Sequence, residues 1–155
     1  MSTTDAPAPD LGNLAILQPC SEVVSVFVDS AGAVTLGRTC FVSSVEPARI
    51  RTRRAGSPHY VGAYAPGTGR TLAHLYGPVA YLSANPAHIA QAKESEAAER
   101  ALTEAREAAL KARMLQARPI ADELADDEAV IVVNVLANRL DSQQLTTLAG
   151  WLGVS

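Results

Sequence analysis

Short apolar stretches alternate with turn residues along the first half of the chain, a pattern typical of β-strands. The strongest strand prediction covers residues 22–29, because apolar side chains alternate onto both faces of that segment and both should be buried. The turn residues 29–32 then predict a hairpin whose second arm spans 34–43. Further short strands are predicted at 14–17, 49–53, 59–64, 72–76 and 79–82.

Five to seven short strands at spacings of about 8 to 12 residues indicate a small barrel or a sandwich. Because about 70 residues are too few for a sandwich of immunoglobulin size, a compact, strongly bent β-barrel over residues 13–84 fits better. Residues 1–12 contain repeated Ala-Pro pairs and are predicted to form a flexible tail.

The pattern becomes helical at Asn85, a favourable N-cap, which precedes Pro86, a favourable first helical residue. Residues 87–117 contain no Gly or Pro and predict one long helix over 85–118, which Pro119 is expected to end. Its sequence also offers ion pairs four residues apart in the favourable order, Glu96 with Arg100 and Glu107 with Lys111.

Apolar positions at helical spacing continue after residue 119 and predict a helical hairpin over 119–155. Its first helix should span 128–140. Asp141 or Ser142 should cap the second, which Gly153 should stop. The expected fold is therefore α+β, a small N-terminal β-barrel of five to seven short antiparallel strands followed by a long helix and a C-terminal helical hairpin.

One face of the predicted long helix repeats at spacings of three and four residues and consists almost entirely of alanine, as an a/d seam of heptads. Because alanine buries little area, the seam supports either weak self-association or close packing of the helix within the chain. Both interpretations stay open. The seam residues are Ala98, Ala101, Ala105, Ala108, Ala112 and Leu115.

Composition narrows the class of protein. The longest wholly apolar run, residues 129–133, is far shorter than the roughly 20 residues that cross a bilayer, and residues 1–10 lack the basic and apolar parts of a secretory signal. Cys20 and Cys40 are too few for a disulfide scaffold, and no Cys/His spacing fits a zinc site. We therefore expect no membrane contact and a cytoplasmic location.

Charge is distributed unevenly around a net charge of -3. Residues 47–92 contain no Asp or Glu but hold five arginines and all three histidines. A strand over 49–53 would place three arginines on one face, and flat rings lie close by in sequence, including Tyr76. Arginine suits phosphate and aromatic rings suit single-stranded bases. The candidate binding residues are Arg49, Arg51, Arg53, Arg54, His59, Tyr60, Tyr64 and Arg70.

Catalysis finds little support in the sequence. No nucleophile, zinc-protease or phosphate-loop motif occurs, and the histidines have no carboxylate near them within residues 47–92. The acidic residues 122–128 lack the spacing of a calcium loop. We therefore expect no enzyme activity, no cofactor, no metal and no small-molecule substrate.

The order of three segments resembles a known group of proteins. VSSVEPARI (residues 42–50), a Tyr-, Gly- and Arg-rich turn region, and LSANPAHI (residues 82–89) lead into a charged helix. This layout, over residues 42–152, resembles small uncharacterised bacteriophage proteins with a Tudor-like β-barrel and a helical tail. The resemblance implies a viral origin and an accessory or host-directed role, and it transfers no catalytic residue.

Together these observations predict a non-enzymatic phage accessory protein in the host cytosol. Its basic barrel face would contact nucleic acid or an acidic host protein, and its helical tail would serve self-association. The alternative function is a structural virion component, in which barrel and helix are assembly surfaces.

Overall fold

A computed structural model describes residues 9–73, 79–124 and 128–154. In it, the first half of the chain, where apolar and polar residues alternate, forms a five-stranded antiparallel sheet. The sheet is bent into a half-barrel with the strand order β4-β3-β2-β1-β5. A long helix and two further helices follow, which confirms the predicted α+β fold. The strands are β1 (Glu22–Val28), β2 (Val34–Glu46), β3 (Arg49–Arg53), β4 (Tyr60–Tyr64) and β5 (Val79–Ser83).

The backbone of residues 69–72 lies between the two edge strands, β4 and β5. Leu72 N donates to Ala63 O on one side, while Leu82 N donates to Gly69 O on the other, at 2.8 and 2.7 Å. Gly69 suits this position because its φ is +66° and a Cβ there would lie 2.9 Å from the Leu82 carbonyl oxygen. Short bridges thus pair the sheet edges that would otherwise present open hydrogen-bonding groups.

Strand β1 is buried on both faces, as its apolar alternation predicts. Inside the half-barrel, Val23 joins a core cluster with Cys40, Val42, Ile50, Tyr64 and Leu82. On the outer face, Val24 and Val26 have no exposed surface, because the first turns of helix α1 (Pro86–Leu124) cover them through Ala92 and Ile89.

Polar contacts fix the start of α1 on the sheet. Lys93 Nζ lies 2.7 Å from a carboxylate oxygen of Glu22, and Glu96 accepts hydrogen bonds from the backbone and the hydroxyl of Thr39. The expected pair of Glu96 with Arg100 is absent from the ion pairs of the described residues, since Glu96 binds the sheet instead. The chain divides into two compact units, Met1–Ala97 and Ala98–Ser155.

The second unit contains the later part of α1, α2 (Ala129–Arg139) and α3 (Ser142–Leu152). Its core brings Ala117, Ile120 and Ala121 together with Ala129, Val133 and Leu145. Asp141, not Ser142, caps α3: its carboxylate accepts from Gln144 N at 2.8 Å, and the Gln144 side chain accepts from Asp141 N at 2.9 Å. Gly153 ends the helix in the left-handed conformation, as predicted.

Three predictions of element type or length are wrong. Strand β2 does not end at residue 43 but continues to Glu46. Residues 14–16 form a short 3-10 helix rather than a strand, because the Asn13 side chain accepts a hydrogen bond from Ala15 N. Pro119 does not end the long helix, which continues to Leu124. Its neighbours Ala117 and Ile120 are fully buried, so packing outweighs the cost of one proline inside a helix.

Other predictions fall partly outside the described residues. Of the predicted tail, residues 1–8 lie outside, while Leu11 contacts the sheet and accepts a hydrogen bond from Ala84 N at 2.8 Å. Of the predicted strand at 72–76, residues 72 and 73 form no strand and residues 74–76 lie outside, and with them His74 and Tyr76.

Candidate binding face on strand β3

Strand β3 separates buried from basic side chains, as its alternation predicts. Ile50 and Thr52 point into the half-barrel and are 1% and 0% exposed. Arg49 and Arg53 are exposed, and Arg51 is half-buried. The three guanidinium groups therefore share the outer side of the sheet, where no other element of the described residues covers them completely. We call Arg49, Arg51 and Arg53, together with Glu46 and Tyr60 beside them, the basic face.

Glu46 on β2 lies directly opposite Arg49 across the β2–β3 hairpin. Its carboxylate is 2.8 Å from Arg49 Nε and 3.5 Å from Arg51 Nε, and it accepts a hydrogen bond from the Ser44 hydroxyl at 3.3 Å. The hydrogen bond from Arg49 is the largest cause that lowers the pKa of Glu46. The carboxylate therefore stays ionised and neutralises part of the basic face.

Tyr60 supplies the aromatic ring of the basic face. Tyr60 is 59% exposed, and the Arg51 guanidinium carbon lies 5.0 Å from its ring centroid, within cation–π range. Tyr60 pairs with Arg53 across a register shift in the β3–β4 pairing. The basic face therefore places an aromatic ring directly beside two guanidinium groups.

Tyr64 does not belong to this face, which corrects the prediction that it is an exposed stacking ring. It is only 5% exposed, and its hydroxyl is 2.8 Å from the hydroxyl of Ser25 inside the half-barrel. Burial raises the pKa of the Tyr64 phenol. Its ring is a core residue and cannot stack on a ligand.

The remaining candidates surround β3 in sequence rather than forming one cluster. Arg54 and His59 are exposed in the loop between β3 and β4, and Arg70 is exposed on the segment that links β4 to β5. Within the described part of the chain, Arg53, Arg54 and Arg70 take part in no ion pair. They are therefore available to an anionic ligand.

Glu46 is the functional neighbour that the sequence prediction missed, although a signal was present. Only Pro47 and Ala48 separate β2 from β3, and such a short turn places the residues before and after it opposite each other. Glu46, the only acidic residue among the seven positions before Arg53, is therefore expected to lie opposite Arg49, the first arginine of β3.

The other polar clusters have structural roles. The Ser83 hydroxyl lies 2.9 Å from His88 Nδ1 and accepts from Asn85 N at 3.1 Å, which holds the start of α1. Burial raises the pKa of the Cys40 thiol, which lies in the core. Across residues 9–73, 79–124 and 128–154, no group of three or more potential metal ligands occurs. The same residues contain no helix with the length and apolarity needed to cross a bilayer.

The alanine seam of α1 is exposed along its whole length. All six predicted seam residues are solvent-exposed, and Leu115 is 70% exposed. The alternative interpretation, close packing of the seam against other parts of the chain, is therefore wrong for the described residues.

The comparisons with known proteins give no match to this chain, whether to a protein family, to a curated protein or to a solved structure.

Proposed function

We propose that the protein is a non-enzymatic binding module whose basic face binds single-stranded nucleic acid. The observation that carries the proposal is the exposed Tyr60 ring, which has Arg51 against it and Arg53 paired beside it. Single strands are bound by aromatic rings that stack on bases and by cations that follow the phosphates, and this face provides both. The resemblance to small phage proteins supports an accessory role in the cytosol of a host cell.

The spacing along β3 suits an extended strand of nucleic acid. Alternate residues of a β-strand are about 6.6 to 7 Å apart, which places Arg49, Arg51 and Arg53 at intervals close to those of successive phosphates in an extended single strand. Arginine contacts to phosphate carry no sequence information, so binding through this face should tolerate unrelated sequences.

The first prediction tests this face by replacing Arg49, Arg51 and Arg53 with alanine. We expect affinity for a fluorescent single-stranded oligonucleotide to fall at least tenfold at low salt, measured by anisotropy, with similar factors for unrelated sequences. The dependence of log affinity on log salt should become shallower by roughly 0.7 for each phosphate that the variant no longer neutralises.

A matched control replaces Arg100, Arg106 and Arg139 with alanine, which removes the same charge from the second unit. It should bind almost as well as the wild type. If the β3 variant binds nucleic acid as well as the wild type, or if the wild type binds none, the proposal fails. Capture of an acidic protein that depends on the same three arginines would then assign the face to that class of partner.

A further inference from the structure

A second surface, on the middle of α1, has no partner within the described residues. Leu102 and Leu115, two large apolar side chains, are 53% and 70% exposed there, beside the alanine seam. In the second unit, α1 contacts the core through Met114, Ala117 and Ile120, which are not seam positions. The seam side is therefore left open from Ala98 to Ala112, whereas Leu115 borders a groove that Leu145 and Ala149 of α3 also line.

The charged residues beside the seam, rather than the alanines in it, indicate which partner binds this side of α1. With the seam residues at heptad positions a and d, the e side is uncharged, with Leu102 and Ala109, whereas the g side carries Glu104 and Lys111, one heptad apart. Both charged residues are exposed, and neither forms an ion pair in the described residues. The expected intrahelical pair of Lys111 with Glu107 is likewise not formed there. A negative and a positive charge thus flank the same seam, both unpaired.

We propose that this side of α1 binds the same side of a second copy of the chain in antiparallel orientation. Placing Ala105 opposite Ala108 of the second copy aligns the remaining seam residues, with Ala101 opposite Ala112. The g positions then meet across the interface, so Glu104 faces Lys111 of the second copy. The two-fold symmetry of the dimer forms this ion pair twice.

The parallel orientation lacks these pairs. In a parallel dimer, g positions face e positions of the partner helix, so Glu104 would meet Ala109 and Lys111 would meet Gln116. Antiparallel helices also align their dipoles favourably. Small seam residues allow close approach but bury little apolar area, so we expect a weak dimer that forms at micromolar concentrations or above.

The interface is tested with the full-length protein by sedimentation equilibrium across a concentration series at low salt. Replacing Lys111 with Glu places two acidic side chains opposite each other twice, and the dissociation constant should rise about tenfold. The exchanged double variant, Glu104→Lys with Lys111→Glu, restores both pairs in the antiparallel dimer and should return the constant close to its wild-type value. The exposed position of these side chains leaves the monomer fold intact.

Arg106→Glu is the matched control, because it makes the same change of charge at an exposed position outside positions a, d, e and g. It should leave the dissociation constant within about twofold of the wild type. Ala105→Glu, which places a charge in the centre of the seam, should abolish the dimer.

Three results would overturn the proposal. They are a wild-type chain that stays monomeric at millimolar concentration, a Lys111→Glu variant that dimerises normally, and a double variant that remains as weak as the single one. None of these results depends on nucleic acid, so the dimer and the proposed binding function can fail separately.

Discussion

Glu46 controls how much of the charge on the basic face is available to a ligand. Its carboxylate bridges the Nε atoms of Arg49 and Arg51, and a phosphate that binds these two guanidiniums closely must compete with it. The side chains of Glu46 and Arg49 are both partly exposed, so their ion pair adds little to the stability of the fold. Its main effect is on the ligand, as an internal anion in the place where a phosphate would bind.

Replacing Glu46 with Gln should therefore strengthen binding of single-stranded nucleic acid. We expect a several-fold gain in affinity at low salt, and a steeper dependence of affinity on salt, because the two arginines can then neutralise one more phosphate. Glu94→Gln is the matched control, since it makes the same change in net charge at an exposed site on α1. Weaker binding of the Glu46 variant would instead show that the carboxylate orients the two arginines for the ligand.

The faces of β4 on which Tyr60 and Tyr64 lie could not be predicted from the sequence pattern. Strict alternation places both on the same face of β4, yet Tyr60 is outside and Tyr64 inside. The register shift between Thr52 and Arg53 lets the pairing skip Val61, and a slip of one residue moves a side chain to the opposite face. Such a bulge depends on two paired strands, so neither strand's sequence reveals it alone.

At the level of secondary-structure elements, the sequence predictions are correct where a single apolar periodicity dominates the segment. Strands β1 and β3 and the helices α2 and α3 each carry a clear apolar repeat, and each lies within a few residues of its predicted position. It failed at Pro119, where a local rule for ending helices competes with burial of the neighbouring turn. It also missed residues 69–72, whose bridging role exists only because β4 and β5 lie on either side.

The cap of α3 decides between two alternatives that the sequence left open. Asp141 exchanges two hydrogen bonds with Gln144, whereas the Ser142 side chain forms none in the described residues. Asp141→Ala should therefore destabilise α3 by about 1 kcal/mol, and Ser142→Ala by a few tenths at most. Amide hydrogen exchange in α3 measures both, with exchange about fivefold faster expected only for the first variant. Equal effects of the two substitutions would contradict the assignment.

At the scale of the whole molecule, helix α1 contributes residues to both compact units. Its first turns complete the sheet's outer layer, since Ala92 and Ile89 cover Val24 and Val26. Its last turns supply Ala117, Ile120 and Ala121 to the helical core. The long helix is one continuous element, as the sequence predicts, but its first turns belong to the first unit, which ends at Ala97 rather than at the end of the last strand.

This division predicts how fragments behave. A fragment of residues 1–97 should unfold cooperatively in urea, because it retains the contacts of Ala92, Lys93 and Glu96 with the sheet. A fragment of residues 1–84 lacks that cover and exposes Val24 and Val26, so it should be less stable by about 2 kcal/mol or more. Ala92→Glu in the longer fragment should reproduce much of this destabilisation without shortening the chain, because the buried Ala92 has no room for a carboxylate. Equal stability of the two fragments would mean that the bent sheet is sufficient by itself, and that the first turns of α1 cover β1 without stabilising it.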